Sequence, residues 1–338
     1  MKKVKIGFIG AGFMSQIAHL PSFYSDSRVE LVALSDLNKK LLEKVSKKYQ
    51  IKRIYTHYKE MLSKETLDGI VLAVQRSRTE LIAKDIIRKG ISLLSEKPAA
   101  LSYKSAKKLS DMCQKKKSIY LIGYMKQHDN GILYLKKNLD NMKLGRLKSV
   151  YYESFLGDSY GNPFEYFKNE NKNYRRKNTL NKNFINKYFV FLKYLNTHCH
   201  SINLIRYLFG ELKLDYSSLS HGGEGCVFLK TKNNIQIVIN NQYSKSKRWI
   251  ENVFINFEKG KVIVKIPTPL LKNTSAELII ENYKTGTISK PWIKWGWSFR
   301  NQANFFVDCI ISSKTKKSFC VAKDCLNDLK LIETIFNK

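Results

Sequence analysis

The sequence has no run of about 18 uninterrupted apolar residues, so no membrane-spanning helix is predicted. It has no Cys-x-x-Cys pair either. Its six cysteines, at 113, 199, 226, 309, 320 and 325, are scattered, which argues for reduced thiols, a cytoplasmic setting and no zinc or other metal site. Acidic residues are few: 28 Asp and Glu stand against 60 Lys and Arg, a formal charge of +32. That imbalance raises nucleic acid as a partner. However, the lysines are spread along the whole chain, often beside asparagines, as in KNENKNYRRKN and LNKNFINK, and no aromatic–basic recognition motif or zinc finger accompanies them. The charge therefore reads as solvated faces. No nucleic-acid partner is expected, and any basic cleft better suits an anionic small molecule. No internal repeat is present.

What remains is a chain of 338 residues, 43% apolar, long enough for two domains with a sizeable core. The opening MKKVKIGFIGAGFM has the basic tip and apolar run of a secretion signal, but its glycines and the lack of a small-x-small cleavage site argue for a first strand. Over residues 1–123, apolar runs at 4–10, 29–36, 68–74, 91–96 and 119–124 alternate with helically spaced segments. One such segment carries Leu81, Ile82, Ile86 and Ile87 ahead of Gly90. Strands apolar throughout and separated by helices predict a parallel sheet covered on both faces. From 124 to 338 the rhythm changes. A helix near 129–142 precedes alternating strands at 147–157, 225–230, 235–243, 250–258, 261–266 and 276–283, and helices at 299–312 and 322–336 close the chain. The stretch 165–185, rich in Lys and Asn, reads as a mobile loop. The fold class is α/β: a doubly wound N-terminal domain, then an α+β domain with an open, mainly antiparallel sheet.

The first strand runs into Gly10-Ala11-Gly12-Phe13-Met14-Ser15, which opens a helix. This is the context of a dinucleotide fingerprint: Gly10 permits the tight turn, and Gly12 lets backbone N–H groups approach a pyrophosphate. Ser15 replaces the usual third glycine. Asp36 ends the second strand, where a carboxylate accepts hydrogen bonds from a ribose and repels a 2′-phosphate. NAD is the expected cofactor, with Asn38, Lys39 and Lys40 leaving NADP open. At the ligand-facing strand ends, Ala73 and Arg76 follow one strand and Ser95-Glu96-Lys97-Pro98 another. Hydride exchange between a carbinol and nicotinamide needs a group that moves the hydroxyl proton. Lys97 fills that role, and Glu96 is a candidate for the nicotinamide ribose.

These segments resemble the glucose–fructose oxidoreductase/inositol dehydrogenase/rhizopine-catabolism (Gfo/Idh/MocA) family. FIGAGFMSQIAHLP, VELVALSD, SEKPAALS and IGYMKQHDNG match its order and spacing, and NTHCHSINLIRYLFGE matches its Asp-x-Gly-x-His-x-x-Asp segment. The resemblance implies that Lys97 is the catalytic acid/base and that His200 contacts the reacting hydroxyl. It also implies that Asn196 and Asn203 stand where relatives carry aspartates, that His198 stands where they carry glycine, and that Lys126 lies near substrate. Further candidates are Arg76 and Arg78 as anion binders, and Trp292, Trp295 and Trp297 as stacking surfaces for a sugar ring. The expected activity is hydride transfer between NAD(P) and a sugar hydroxyl or ketone, with a nucleotide-linked sugar of surface-polysaccharide synthesis as substrate. A homodimer or homotetramer through the second sheet is also expected. The alternative is a non-catalytic dinucleotide-binding sensor or assembly protein.

Overall fold

The computed structural model describes residues 2–157, 165–168, 182–246, 248–312 and 322–336. The chain divides into two compact units. The first comprises residues 2–124, 165–168 and the described part of 299–326.

Its six strands are β1 (Val4–Ile9), β2 (Val29–Ser35), β3 (Arg53–Tyr55), β4 (Gly69–Leu72), β5 (Ser92–Ser95) and β6 (Tyr120–Ile122). They form one parallel sheet in the order β3-β2-β1-β4-β5-β6. The chain winds outward from β1 through β2 and β3, then returns to β4 and onward through β5 and β6. Strand order therefore reverses between β1 and β4, and ligands of such sheets lie beyond the carboxyl ends at that reversal. On one side, Phe8 of β1 meets Phe23 edge-on at 5.7 Å, and Phe23 meets Phe306 at 6.3 Å. Phe306, Val307 and Cys309 from the helix Ser298–Ser312 are completely buried in this core. Burial of side chains this size contributes roughly 1.5–3 kcal/mol each. Gly69 makes the close approach possible, since a Cβ there would lie 2.8 Å from Ile310.

The second unit comprises the described parts of 125–163, 182–298 and 327–338. Its strands are β7 (Leu147–Leu156), β8 (Leu212–Leu219), β9 (Gly225–Thr231), β10 (Gln236–Tyr243), β11 (Ile250–Phe257), β12 (Gly260–Lys265), β13 (Glu277–Asn282) and β14 (Thr287–Ser289). They form a sheet in the order β14-β13-β12-β11-β7-β10-β9-β8. All neighbours are antiparallel except β7 and β10. Alternation along these strands separates two faces. Val150, Tyr152, Ile237, Ile239, Val253 and Ile255 point to one face and are buried. On the other face, Tyr216, Phe228, Val238, Tyr151, Phe254 and Ile263 stand directly across from one another, strand to strand, in a single apolar row.

Three strands were not expected. β3 has only three residues, too short a run to show a period. A bulge between Leu214 and Tyr216 breaks the alternation that would have revealed β8, and β14 is three exposed residues long. The expected loop at 165–185 falls largely outside the described residues. Its final residues instead begin the helix Lys182–Thr197. Phe184, Tyr188, Phe191 and Leu195 recur at helical spacing there, a period hidden by the surrounding Lys and Asn.

Candidate functional site

The turn after β1 is built around two glycines with different reasons to be glycine. Gly10 has φ +97°, and a Cβ on it would lie 2.1 Å from the carbonyl oxygen of Ala73, at the end of β4. No other residue fits. A Cβ on Gly12, by contrast, would meet no protein atom within 4 Å, so its bareness leaves open space in front of the loop. The Gln16 N–H bonds back to the Gly12 carbonyl at 3.1 Å as the helical turn begins. Ser15 is buried and donates its hydroxyl to the Gly10 carbonyl at 2.6 Å, which accounts for a small polar residue in the third glycine's place. Phe13 meets Tyr166 edge-on at 4.9 Å, and Met14 continues the right-handed helical backbone.

Asp36 follows β2. Its carboxylate accepts the Ala11 N–H at 2.8 Å and the Asn38 N–H at 2.9 Å, so it is held against the loop. Asn38 caps the helix Lys39–Lys48 by accepting from Leu41 N, and Lys39 and Lys40 are exposed. A carboxylate fixed in this position favours ribose hydroxyls over a 2′-phosphate. Arg76 opens the helix Arg76–Arg88 after β4. It is half-buried, and its buried Nη1 has no hydrogen-bond partner; Arg78 is exposed. The open cradle, the fixed acid and the strand reversal fit a dinucleotide. Gly10, Gly12, Phe13, Met14, Ala73 and Arg76 would line its phosphates and Asp36 its adenosine ribose.

At the end of β5, Glu96 and Lys97 are half-buried, and the Lys97–Pro98 peptide is cis. The Glu96 carboxylate bonds His19 Nε2 at 2.7 Å. Burial pushes this carboxyl upward, but the hydrogen bond and charge of His19, followed by Lys97, outweigh it and hold Glu96 below the ordinary carboxylate range. His19 and Gln16 were not singled out from the sequence. Gln16 donates to the carbonyls of Ala11 (2.7 Å) and Phe167 (3.0 Å) and accepts the Phe167 N–H (2.9 Å). The available signal was position: both residues fall in the first turns after the glycine loop.

Lys126, Asn196 and His200 belong to the second unit. Asn196 and His200 are half-buried and lie on either side of the break at His198, near the end of the helix Lys182–Thr197 and the start of the helix Cys199–Phe209. Lys126 is 7% exposed and pairs with Glu251, which is 1% exposed and also accepts from Tyr152 (2.7 Å) and Trp249 (3.3 Å). Glu251 was missed, although alternation puts it in line with the inward Val253 and Ile255. A charged residue on a buried face is a readable signal. Asn203 accepts from Gln127 and donates to Asp328 at 2.7 Å, and Asp328 in turn binds Arg206. A carboxylate thus lies one hydrogen bond from Asn203. His198 is buried between the rings of Tyr194 and Tyr243, each 5.0 Å away, and burial, with Lys193 and Lys126, pushes its imidazole down to about 3. It is a neutral side chain at any ordinary pH. Trp292 and Trp295 are exposed, whereas Trp297 is packed at 4% exposure. Among the described residues no cluster of three potential metal ligands exists, and the five described cysteines are free.

Known proteins extend this picture. The GFO_IDH_MocA family model, described as an oxidoreductase family with an NAD-binding Rossmann fold, matches residues 4–124. The rhizopine catabolism protein MocA of Rhizobium meliloti is 25% identical over 151 residues, 45% of this chain and 46% of that protein. An inositol 2-dehydrogenase/D-chiro-inositol 3-dehydrogenase of Lacticaseibacillus casei is 26% identical over 145 residues, 42% of each. The chain thus spans less than half the length of these curated relatives. A crystal structure of KijD10, a 3-ketoreductase from Actinomadura kijaniata in complex with NADP and TDP-benzene, superposes with a TM-score of 0.80. It covers 99% of this chain and 98% of that one at 13% identity, a likeness of fold. Residues 4–124 thus match the NAD-binding Rossmann domain of the Gfo/Idh/MocA oxidoreductase family.

Proposed function

We propose that the chain is an NAD-dependent oxidoreductase that exchanges a hydride with a sugar hydroxyl or ketone, and that its substrate is a nucleotide-linked sugar. The observation that carries this reading is Glu96-Lys97 at the carboxyl end of β5, in the same sheet whose β1 ends in the dinucleotide cradle. Nicotinamide supplies the hydride chemistry when bound. Lys97 takes or returns the hydroxyl proton, because its amine follows β5 on the ligand side of the sheet, next to Glu96. His200 and Asn196, of the second unit, are proposed as substrate-binding residues. Arg76, with its unpartnered buried Nη1, attracts an anionic substituent, and Lys126 is proposed as a substrate contact in the second unit. KijD10, with NADP and TDP-benzene bound to the same fold, supports the nucleotide-sugar assignment. Surface-polysaccharide synthesis in the cytoplasm is the setting this substrate class suggests.

A panel of free and nucleotide-linked sugars, assayed for NADH oxidation and NAD reduction, tests the reading. Turnover with at least one nucleotide sugar is expected. Tight NADH binding with no turnover across the panel would favour a dinucleotide sensor, the reading suggested by Asn196 and Asn203 in place of acids. Cofactor choice follows from Asp36. Asp36→Ser is expected to lower the NADH-to-NADPH affinity ratio at least about tenfold, since roughly 1.4 kcal/mol separates the two preferences by that factor. An unchanged ratio in fluorescence titrations would remove Asp36 from the cofactor site.

The outer row of the second sheet bears on assembly. Tyr216 is 61% exposed, Phe155 39% and Phe228 37%, an apolar surface that a second copy of this sheet would cover. A homodimer or homotetramer is proposed through this face. Phe155→Glu with Phe228→Glu is expected to yield monomers in sedimentation velocity; an oligomer of unchanged mass would contradict it.

A further inference from the structure

Gln16 lies on the helical segment Ser15–His19, directly after the glycine loop, and is 2% exposed. A buried amide is costly unless each of its polar groups finds a partner, so an apolar residue is the ordinary choice at such a position. Here every group is occupied. Nε2 donates to the carbonyls of Ala11 (2.7 Å) and Phe167 (3.0 Å), and Oε1 accepts the Phe167 N–H (2.9 Å). Phe167 stands 151 positions later in the chain, on the segment 165–168 of the same compact unit. Burial of its ring does not account for the docking of that segment, because the residue is 38% exposed. The Gln16 amide does. Beside it the half-buried Tyr166 meets Phe13 edge-on, with ring centroids 4.9 Å apart. Phe13 directly follows Gly12, where a Cβ would meet no protein atom within 4 Å.

We propose that Tyr166 is a contact of the bound dinucleotide, and that Gln16 is the positioning residue that holds it there through the backbone of Phe167. The inference rests on the reading of the glycine loop as the pyrophosphate site. It adds to that site a wall from far outside the strand–loop–helix segment that carries the dinucleotide fingerprint. A tyrosine ring offers an apolar face and a polar tip, which suits a ligand that is part ring and part phosphate. Placed next to the open space at Gly12, it shields the dinucleotide from water and slows its departure. The Gln16 amide also fixes the carbonyl of Ala11, between the two glycines, so one side chain couples the shape of the phosphate loop to the place of Tyr166. Gln16 does not touch the cofactor in this scheme, because Ala11 and Phe167 occupy its amide; it acts through the segment it holds.

Stopped-flow displacement of NADH from the whole chain reads the dissociation rate that this contact controls. Tyr166→Ala is expected to raise that rate about tenfold, the effect of losing one aromatic contact, while Tyr166→Phe, which keeps the ring, should match the parent. Gln16→Leu should also raise it about tenfold, and the double variant should go no higher, because both changes remove the same contact. The melting temperature of Tyr166→Ala without NADH should stay within a few degrees of the parent. A parent-like rate in either single variant, or increases that multiply in the double variant, would overturn the proposal. So would a Tyr166→Ala protein that melts far below the parent, since the ring would then serve folding. If Gln16→Leu does not fold, a raised rate in Tyr166→Ala with a parent-like rate in Tyr166→Phe supports the proposal, and any other pattern overturns it. Gly12→Val separates this inference from the cofactor site itself. Weakened NADH binding there, with a parent-like rate in Tyr166→Ala, overturns the Tyr166 contact alone; NADH binding unchanged by Gly12→Val would overturn both. Neither readout depends on turnover, so the absence of a sugar substrate would leave the result standing.

Discussion

Replacing Lys97 with alanine is expected to cut turnover at least about a hundredfold while NADH affinity changes by less than about threefold. Both halves of this result follow from where the residue stands. The cradle that holds the dinucleotide is made of backbone and glycine at the end of β1, with Asp36 after β2, and none of it depends on the Lys97 side chain. Lys97 is half-buried at the end of β5, on the ligand side of the sheet. Transfer by a positioned side chain contributes about 10²–10⁴ in rate, which sets the expected size of the loss. Stopped-flow turnover with a sugar from the substrate panel, alongside NADH fluorescence titration, measures the two quantities. Retained turnover would remove Lys97 from the chemistry. A large loss of NADH affinity would instead make it a cofactor ligand.

The two glycines should fail in opposite ways. Gly12→Val places carbon in space that no protein atom occupies, so melting temperature should stay within a few degrees of the parent while NADH affinity falls at least about a hundredfold. Gly10→Ala forces a Cβ to 2.1 Å from the Ala73 carbonyl on a backbone with φ +97°. It should lower the melting temperature sharply, because the turn cannot form without moving β4; strain of this type costs about 1–3 kcal/mol from the backbone conformation before the clash is counted. Calorimetry paired with NADH titration separates them. A Gly12→Val protein that binds NADH like the parent would show that the open space in front of the loop is not the pyrophosphate site.

Much of this was legible in the residues because several signals were local and redundant. Strand, glycines, helix start and distal acid fall within 36 residues, and each constrains the others. Glu96-Lys97-Pro98 stood out because charges ended an apolar run. The harder parts depend on partners distant in sequence. Nothing near His19 announces that its ring meets Glu96, and nothing near Asn203 announces Asp328, 125 residues later. The helix Ser298–Ser312 carries an ordinary apolar stripe, and the stripe does not reveal that Phe306 fills the core beneath β1. Glu251 could have been found from strand alternation alone. Lys126, which the family resemblance puts near substrate, is joined to Glu251 by a pairing the sequence hides. β8 illustrates the limit of periodicity, since one extra residue at a bulge moves the side chains that follow to the other face.

A crystal structure with NADH and a reactive sugar soaked together would bear hardest on everything argued from the end of β5. The amine at position 97 should lie about 3 Å from the oxygen on the carbon that exchanges hydride. An ammonium group turned away from that oxygen, with another titratable side chain in its place, would contradict the account.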